Sequence, residues 1–261
     1  MNVIRPERKL APNVECFTST RQGGLSSAPY ESMNLAKHVN DTVANVEENR
    51  KRLHAFILNQ TKHGTATHIH RPVYLTQCHS SRVADFDKSS DIDTQSYDAV
   101  ISHRVGNPLL IMTADCLPIV IVDGHSPNQH QSEFRYAAIH AGWRGLADNI
   151  IAKTLASFDR PLNNPRVWIG PHICAKHFET GGDVVDQLSP YTQSVARNQQ
   201  TQKYHVDLAD IASQQMRQEG IKDIQVSQQC TYCNDILFSF RQAHHMKQAD
   251  CGRMATVVLA Y

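Results

Sequence analysis

The stretch from Leu109 to Leu146 constrains the fold most. It reads LLIMTADCLPIVIVDG, a polar gap, then YAAIHAGWRGL. Leu109–Met112 and Ile119–Val122 are short, rich in β-branched residues and bounded by Asp, Pro and Gly, and Tyr136–Ile139 is a third such run. Runs of this kind are strands. Cys116 follows the first, and His140 stands where the third meets a glycine turn. A thiolate and an imidazole at strand ends suit a transition metal or nucleophilic chemistry. They equally suit a buried structural cysteine and a hydrogen-bonded histidine.

Upstream, Val73–Cys78 reads as a strand with His79 directly after it in LTQCHSSRV, a third residue of metal-binding type at a strand end. Asp98–Ser102 leads into another strand before the Gly106-Asn107-Pro108 turn. Val14–Thr18, Arg166–Ile169, Ile224–Val226 and Met254–Leu259 complete the expected strands. Helices are expected over Val43–Leu58, Gly145–Phe158, Asp183–Val195 (interrupted near Ser189-Pro190) and Asp207–Glu219. In the first, Val43, Val46, Leu53 and Ile57 fall at helical spacing. Glu47/Lys51 and Glu48/Arg52 can pair one turn apart, and Asp41 or Thr42 can cap the start. In the last, Asp207 is the cap, Gly220 the terminator, and Leu208, Ile211, Ala212 and Met216 face inward. Asn59–Arg71 is a connection and Asp85–Tyr97 an exposed loop.

Strands interleaved with helices over 261 residues give the α/β class, as one domain over 1–261 or two tightly fused halves. With 26 basic and 25 acidic residues, the charge makes no case for nucleic acid or an anionic membrane. No apolar run approaches the roughly 20 residues of a membrane span, and Met1–Leu10 lacks the apolar core of a signal peptide. Seven cysteines at irregular spacing fit free thiols in a reducing cytoplasm. Most of the 15 histidines sit in polar segments such as Lys62-His63 and His244-His245 and read as surface residues.

Some weaker signals remain. Arg21 before the Gly23-Gly24 turn can serve an anionic substrate group or pair with a surface carboxylate. The GWRG turn places backbone N–H groups of Gly142 and Gly145, with Arg144, at a helix start, where phosphate is chemically plausible but the pattern is common. His68-Ile69-His70 is one HxH pair, a weak copper signal in an expected loop. Cys230-Thr231-Tyr232-Cys233 is a CxxC without a second CxxC partner, a weak zinc signal.

Taken in order, STRQGG, MNL followed by ENR, LTQCHS, TADCLPIV, AAIHAGWRGL, IGPHI and the region from Cys230-Thr231 to Phe240-Arg241 resemble the bacterial laccase-domain family over nearly the whole chain. TADCLP and HAGWRGL are the most specific. The resemblance implies a layered α/β/β/α sandwich with mixed sheets. It also implies either of two activities: polyphenol oxidase, or zinc-dependent purine nucleoside phosphorylase with adenosine deaminase activity. It places the metal ligands on His79, Cys116 and His140. Three positions depart from the usual pattern: His172 replaces a cysteine, Gln242 an arginine, and Cys251 opens CGR where TGR is usual.

Two imidazoles and one thiolate fill three corners of a tetrahedron and leave the fourth open, the pattern of catalytic zinc. Such an ion activates water for attack at C6 of adenosine. Phosphorolysis needs phosphate delivered to C1′ of the ribose, for which Arg21, Gly142, Arg144 and Gly145 are candidates. Cys116, His140 and Asp115 are the candidate catalytic residues, Asp115 as a ligand-orienting or proton-moving group. The expected partners are purine nucleosides and phosphate, with zinc the expected cofactor and copper an alternative. The competing readings are a copper-dependent polyphenol oxidase, a Cys116/His140 hydrolase acting on a cell-wall precursor, and a zinc-stabilised binding module.

Overall fold

Successive side chains of a strand point to opposite faces, and here both faces of the central strands find apolar partners. The computed structural model describes residues 1–61, 68–92, 94–124 and 134–261. A six-stranded mixed sheet runs in the order Asp223–Val226, Arg166–Ile169, Leu117–Asp123, Arg135–Ala141, Ala99–Ser102, Val83–Asp85. The two outermost pairs are parallel, and the inner pairs are antiparallel. A four-stranded antiparallel sheet runs Val3–Ile4, Val14–Ser19, Met254–Ala260, Leu109–Thr113.

The alternation sorts these strands into layers. Val100, Val120, Val122, Tyr136, Ala138 and Trp168 of the large sheet meet Val14, Cys16, Leu109, Ile111, Val258 and Ala260 of the small one in a single buried cluster. The other face of the large sheet, with Ile101, Ile119, Ile121, Ala137 and Ile139, packs against Leu146, Ile150, Ile151, Ile211, Ala212 and Met216. Those residues belong to helices Trp143–Ala147, Ile150–Ala156 and Leu208–Gln218. The other face of the small sheet, with Phe17, Leu110, Met112, Val257 and Leu259, packs on Leu53 and Ile57 of helix Val43–Gln60. The expected α/β/β/α layering is therefore observed. Each fully buried aliphatic side chain contributes about 1.5–3 kcal/mol, so the doubly covered strands are the stiffest support for a site. A third, small antiparallel sheet joins Glu179–Thr180, Tyr204–Val206 and Val195–Arg197.

Several expectations need correction. Val73–Cys78 forms no ladder. It makes one bridge, Thr76 to Ser96, while the Gln77 side-chain amide pairs with both backbone groups of Met112 at 2.7 Å each. The expected helix Gly145–Phe158 breaks in two at Asn149, whose φ of 55° is left-handed, a conformation that Asn tolerates better than most residues. Within Asp85–Tyr97, Ile92 and Tyr97 are buried rather than exposed. Val43 is exposed. Thr42 holds the cap position with no side-chain cap bond, and its own N–H donates to the Asp41 carboxylate instead. Glu48 pairs with Arg52 at 3.7 Å, but Glu47 turns to Lys37 at 2.9 Å.

Helix Leu208–Gln218 forms as expected, with the Asp207 carboxylate accepting from Asp210 N–H and Gly220 at φ 83° behind it. The segment before Val195 is a helix Gly182–Gln187 and then a 3-10 turn Ser189–Ser194. Lys62 and His63 lie outside the described residues, while His244 and His245 are exposed. No described helix is long and apolar enough to cross a membrane.

Candidate metal centre

Three distant segments meet at one end of the large sheet. Cys116 sits on the tight turn between strands 109–113 and 117–123, where Asp115 takes a φ of 93°. His140 is carried by strand 135–141. His79 follows the bridged segment with a φ of 62°. Their ligand atoms lie within 4.8 Å of one another. His79 Nε2 stands 3.7 Å from Cys116 Sγ, and the two imidazole rings meet edge-on at 4.8 Å. A tetrahedral zinc with ordinary bond lengths has N···S edges of about 3.5 Å, so the donor set fits such an ion. His68 and His70 touch each other at 4.8 Å and join no group of three donors among the described residues.

Asp98 organises the cluster, and the sequence reading did not single it out. Its side chain has no exposed surface. One oxygen meets His140 Nδ1 at 2.8 Å and accepts from His79 N–H at 3.0 Å. The other accepts from Ser80 N–H and the Ser80 hydroxyl, both at 2.7 Å, and from Cys78 N–H at 3.2 Å. The backbone bonds stabilise the left-handed turn at His79. The bond to Nδ1 leaves His140 Nε2 for the cluster, the carboxylate–histidine arrangement that orients metal-binding imidazoles. The only advance signal was an aspartate one residue before a buried strand in YDAVIS.

The charges follow from this packing. Burial pushes the Asp98 carboxyl up, but His140 and the Ser80 donors outweigh it and hold the group well below the usual carboxylate range. Burial pushes the Cys116 thiol up, yet the His140 and His79 imidazoles bring it down to about 6. Burial lowers His140, yet Cys116 and Asp98 raise it to about 9. Without an ion, these opposed shifts favour a thiolate beside an imidazolium, and a cation would take the place of the imidazolium proton.

The cluster opens into a cleft of about 360 Å³. Met112, Ile173, Phe178 and Phe240 give it apolar walls, and His38, Arg241 and Arg253 give it polar ones. Arg241 Nη1 donates to the His177 and Glu179 carbonyls at 3.2 and 2.8 Å, and its guanidinium lies 5.5 Å from the Phe178 ring centre. Among the described residues no carboxylate forms an ion pair with Arg241, whereas Arg253 pairs with Asp250 at 3.1 Å. His38 stays exposed, but partial desolvation and the Arg253 charge lower it below the ordinary imidazole value.

The other expected site residues sit differently. Asp115 lines the cleft, but both carboxylate oxygens are engaged. They accept from the Thr231 hydroxyl at 2.6 Å and from Arg241 N–H at 2.7 Å. Gly142 packs against the cluster: a methyl group there would lie 3.0 Å from His79 Cδ2 and 3.1 Å from Cys116 Sγ. Gly145 is buried below Ser80 and Ile150. Arg144 stacks on Trp143 at 4.3 Å, and Arg21 lies over Phe238 at 4.9 Å with Nε on the Glu31 carbonyl. Neither arginine is among the residues lining the cleft. The helix after Gly142 has only five residues. The cationic candidates are therefore Arg241 and Arg253, from segments the sequence reading left without a role. His172 is buried with Nδ1 on the Gly170 carbonyl at 2.8 Å, and Gln242 Nε2 donates to the Tyr232 carbonyl.

Known proteins resemble this chain along its length. The Haemophilus influenzae protein named purine nucleoside phosphorylase is 34% identical, over 99% of both chains. The Escherichia coli purine nucleoside phosphorylase YfiH is 33% identical, over 98% of both. The crystal structure of Neisseria meningitidis protein NMB0706 covers 100% of this chain and 99% of its own, with a TM-score of 0.84 at 28% identity. The family model described as multi-copper polyphenol oxidoreductase laccase matches residues 15–260. The chain belongs to that family.

Proposed function

We propose that this chain is a metal-dependent purine nucleoside phosphorylase that uses zinc and also deaminates adenosine. One observation carries the reading: His79, Cys116 and His140, braced by Asp98, form the floor of a cleft walled by aromatic rings and arginines. The relatives named purine nucleoside phosphorylase support it. An ion held by His79, Cys116 and His140 would supply Lewis acidity at neutral pH.

The chain's own residues supply the rest. The cleft volume falls in the range of small-molecule sites. Phe240 and Phe178 offer flat apolar surface to a purine. Arg241 and Arg253 hold phosphate, Arg241 with its guanidinium unpaired by any described carboxylate. His38 lines the cleft, and the Arg253 charge near it lowers its affinity for a proton, so it serves as the group that takes or gives a proton. Asp115 positions Arg241 through its backbone N–H rather than moving a proton.

The family description favours copper oxidation, but a multicopper centre needs several histidine-rich sites. The described residues offer one two-histidine cluster and one group dominated by cysteine. Copper outranks zinc in intrinsic affinity, so metal content has meaning only without supplementation. The thiolate–imidazolium character of Cys116 and His140 favours a second reading, a cysteine hydrolase.

The test is to incubate protein purified without added metal with adenosine, with and without phosphate, and to follow adenine, inosine and hypoxanthine by chromatography. Phosphate-dependent adenine and phosphate-independent inosine are expected. Oxidation of a phenolic dye with no nucleoside turnover would replace the proposal with the laccase reading. Turnover that survives metal removal but is lost in Cys116→Ser would replace it with the hydrolase.

A further inference from the structure

A second group of donors lies apart from the three-residue cluster. Cys174, His177, Cys230 and Cys233 bring one ligand atom each within 4.8 Å of one another. His177 Nδ1 stands 3.3 Å from both Cys174 Sγ and Cys233 Sγ. A tetrahedral zinc held by thiolates and one imidazole has N···S edges of about 3.5 Å, and these separations approach that value. The backbone N–H of Cys174 donates to Cys230 Sγ at 3.3 Å. A sulfur that accepts an N–H bond carries negative charge at lower cost. Tyr232 stacks on the His177 ring at 4.2 Å and 12°, fixing the orientation that aims Nδ1 at the sulfurs.

We propose that Cys174, His177, Cys230 and Cys233 form a second, closed zinc site that clamps one wall of the cleft. Four protein donors fill a tetrahedron and leave no open position, so the site is structural rather than catalytic. Three soft thiolates select zinc over magnesium or calcium. The sequence pattern is Cys-x-x-His followed far downstream by Cys-x-x-Cys. The missing partner of the CxxC was therefore a CxxH, which a search for a second CxxC passes over.

The position gives the clamp a consequence. Cys174 follows Ile173 and His177 precedes Phe178, and both neighbours line the cleft. Thr231, between the two ligands of the CxxC, donates its hydroxyl to Asp115, the residue before Cys116. The His177 carbonyl accepts from Arg241 Nη1. Joining residues 174–177 to 230–233 thus ties together the two segments that hold Phe178, Arg241 and Asp115. The Gln242 amide on the Tyr232 carbonyl adds a tie to the same loop. This assignment stands whatever reaction the cleft performs.

The test is metal stoichiometry by elemental analysis and native mass spectrometry, on protein purified under reducing conditions. The wild-type chain should hold two equivalents. His79→Ala/Cys116→Ser should keep one, and Cys230→Ser/Cys233→Ser should keep the other. Cobalt(II) loaded into His79→Ala/Cys116→Ser should show thiolate-to-cobalt charge transfer and tetrahedral ligand-field bands, and chelation should lower that variant's melting temperature. If Cys230→Ser/Cys233→Ser does not fold, the His79→Ala/Cys116→Ser variant decides alone. A folded His79→Ala/Cys116→Ser protein that holds no metal and gives no cobalt spectrum would overturn the proposal. So would a mass deficit of two hydrogens under reducing conditions, locating a disulfide among Cys174, Cys230 and Cys233.

Discussion

A carboxylate with no exposed surface braces both histidines of the cluster. Asp98 accepts from the His140 ring, from three backbone N–H groups and from a hydroxyl. Asp98→Asn keeps the shape but turns an amide NH₂ toward groups that donate. Metal affinity should fall about 10- to 100-fold, the usual cost of losing an orienting partner, and stability by about 1–3 kcal/mol. Chelator competition and thermal unfolding read the two separately.

Gly142 makes a sharper case. Its φ of −77° suits alanine, so Gly142→Ala adds no backbone strain, but crowding at this buried site should cost about 1–3 kcal/mol. Metal affinity should fall, because the added methyl group presses on His79 and Cys116.

The third residue-scale prediction concerns protons. In the metal-free chain, thiolate absorbance of Cys116 should titrate with an apparent value of about 6, a property of the coupled pair. His140→Ala should move it upward, since burial remains and the main charge opposing it is gone. A lowered thiol contributes stability that is full above its ordinary value of 9.0 and is lost as pH falls through about 6. The raised His140 contributes stability that is full below 6.5 and is lost as pH rises through about 9. Between about 6.5 and 9 the two slopes cancel, so this pair gives the metal-free fold no net pH dependence there.

Strand-end positions mark His79, Cys116 and His140 as residues of metal-binding type, and only the family resemblance groups them as one ligand set. Asp98, Arg241 and Arg253 carry no such mark, although Phe240-Arg241 lies in a segment that bears the resemblance. Their importance lies in which backbone groups and which cleft they meet, and no spacing along the chain encodes that.

At the scale of elements, apolar periodicity marks helices Val43–Gln60 and Leu208–Gln218, whereas side-chain substitutes for backbone leave no periodic trace. The Gln77 amide replaces a ladder partner for Met112, so Val73–Cys78 looks like a strand in composition and is not one in structure. The apolar spacing from Gly145 to Phe158 survives a break at Asn149 because both short helices cover the same sheet face. Alanine pays more than asparagine for a left-handed backbone. Asn149→Ala should therefore cost about 1 kcal/mol in urea unfolding, while Asn149→Gly should be nearly neutral or slightly stabilising. The reverse order would mean that the two helices join. Strands 179–180, 195–197 and 204–206 and helix Phe240–His245 are too short for any period to register.

For the whole molecule, the layered architecture was expected only through the family resemblance, and the structure shows its cause. Leu109 and Ile111 point between the sheets, while Leu110 and Met112 point toward helix 43–60. The same alternation places Val120 and Val122 between the sheets and Ile119 and Ile121 under the helices. Four layers follow from two sheets that are apolar on both faces. Strands so confined fix the turn at Asp115–Cys116 and the end of strand 135–141 to within the tolerance a metal cluster needs.

Nucleoside cleavage is proposed to depend on one ion held by His79, Cys116 and His140. The most direct measurement is phosphate-dependent release of adenine from adenosine by wild-type protein and Cys116→Ser, before and after chelation and after zinc is returned. Chelation should abolish release, zinc alone should restore it in wild type, and Cys116→Ser should stay inactive with or without zinc. Release that persists undiminished in metal-depleted wild-type protein would contradict that dependence.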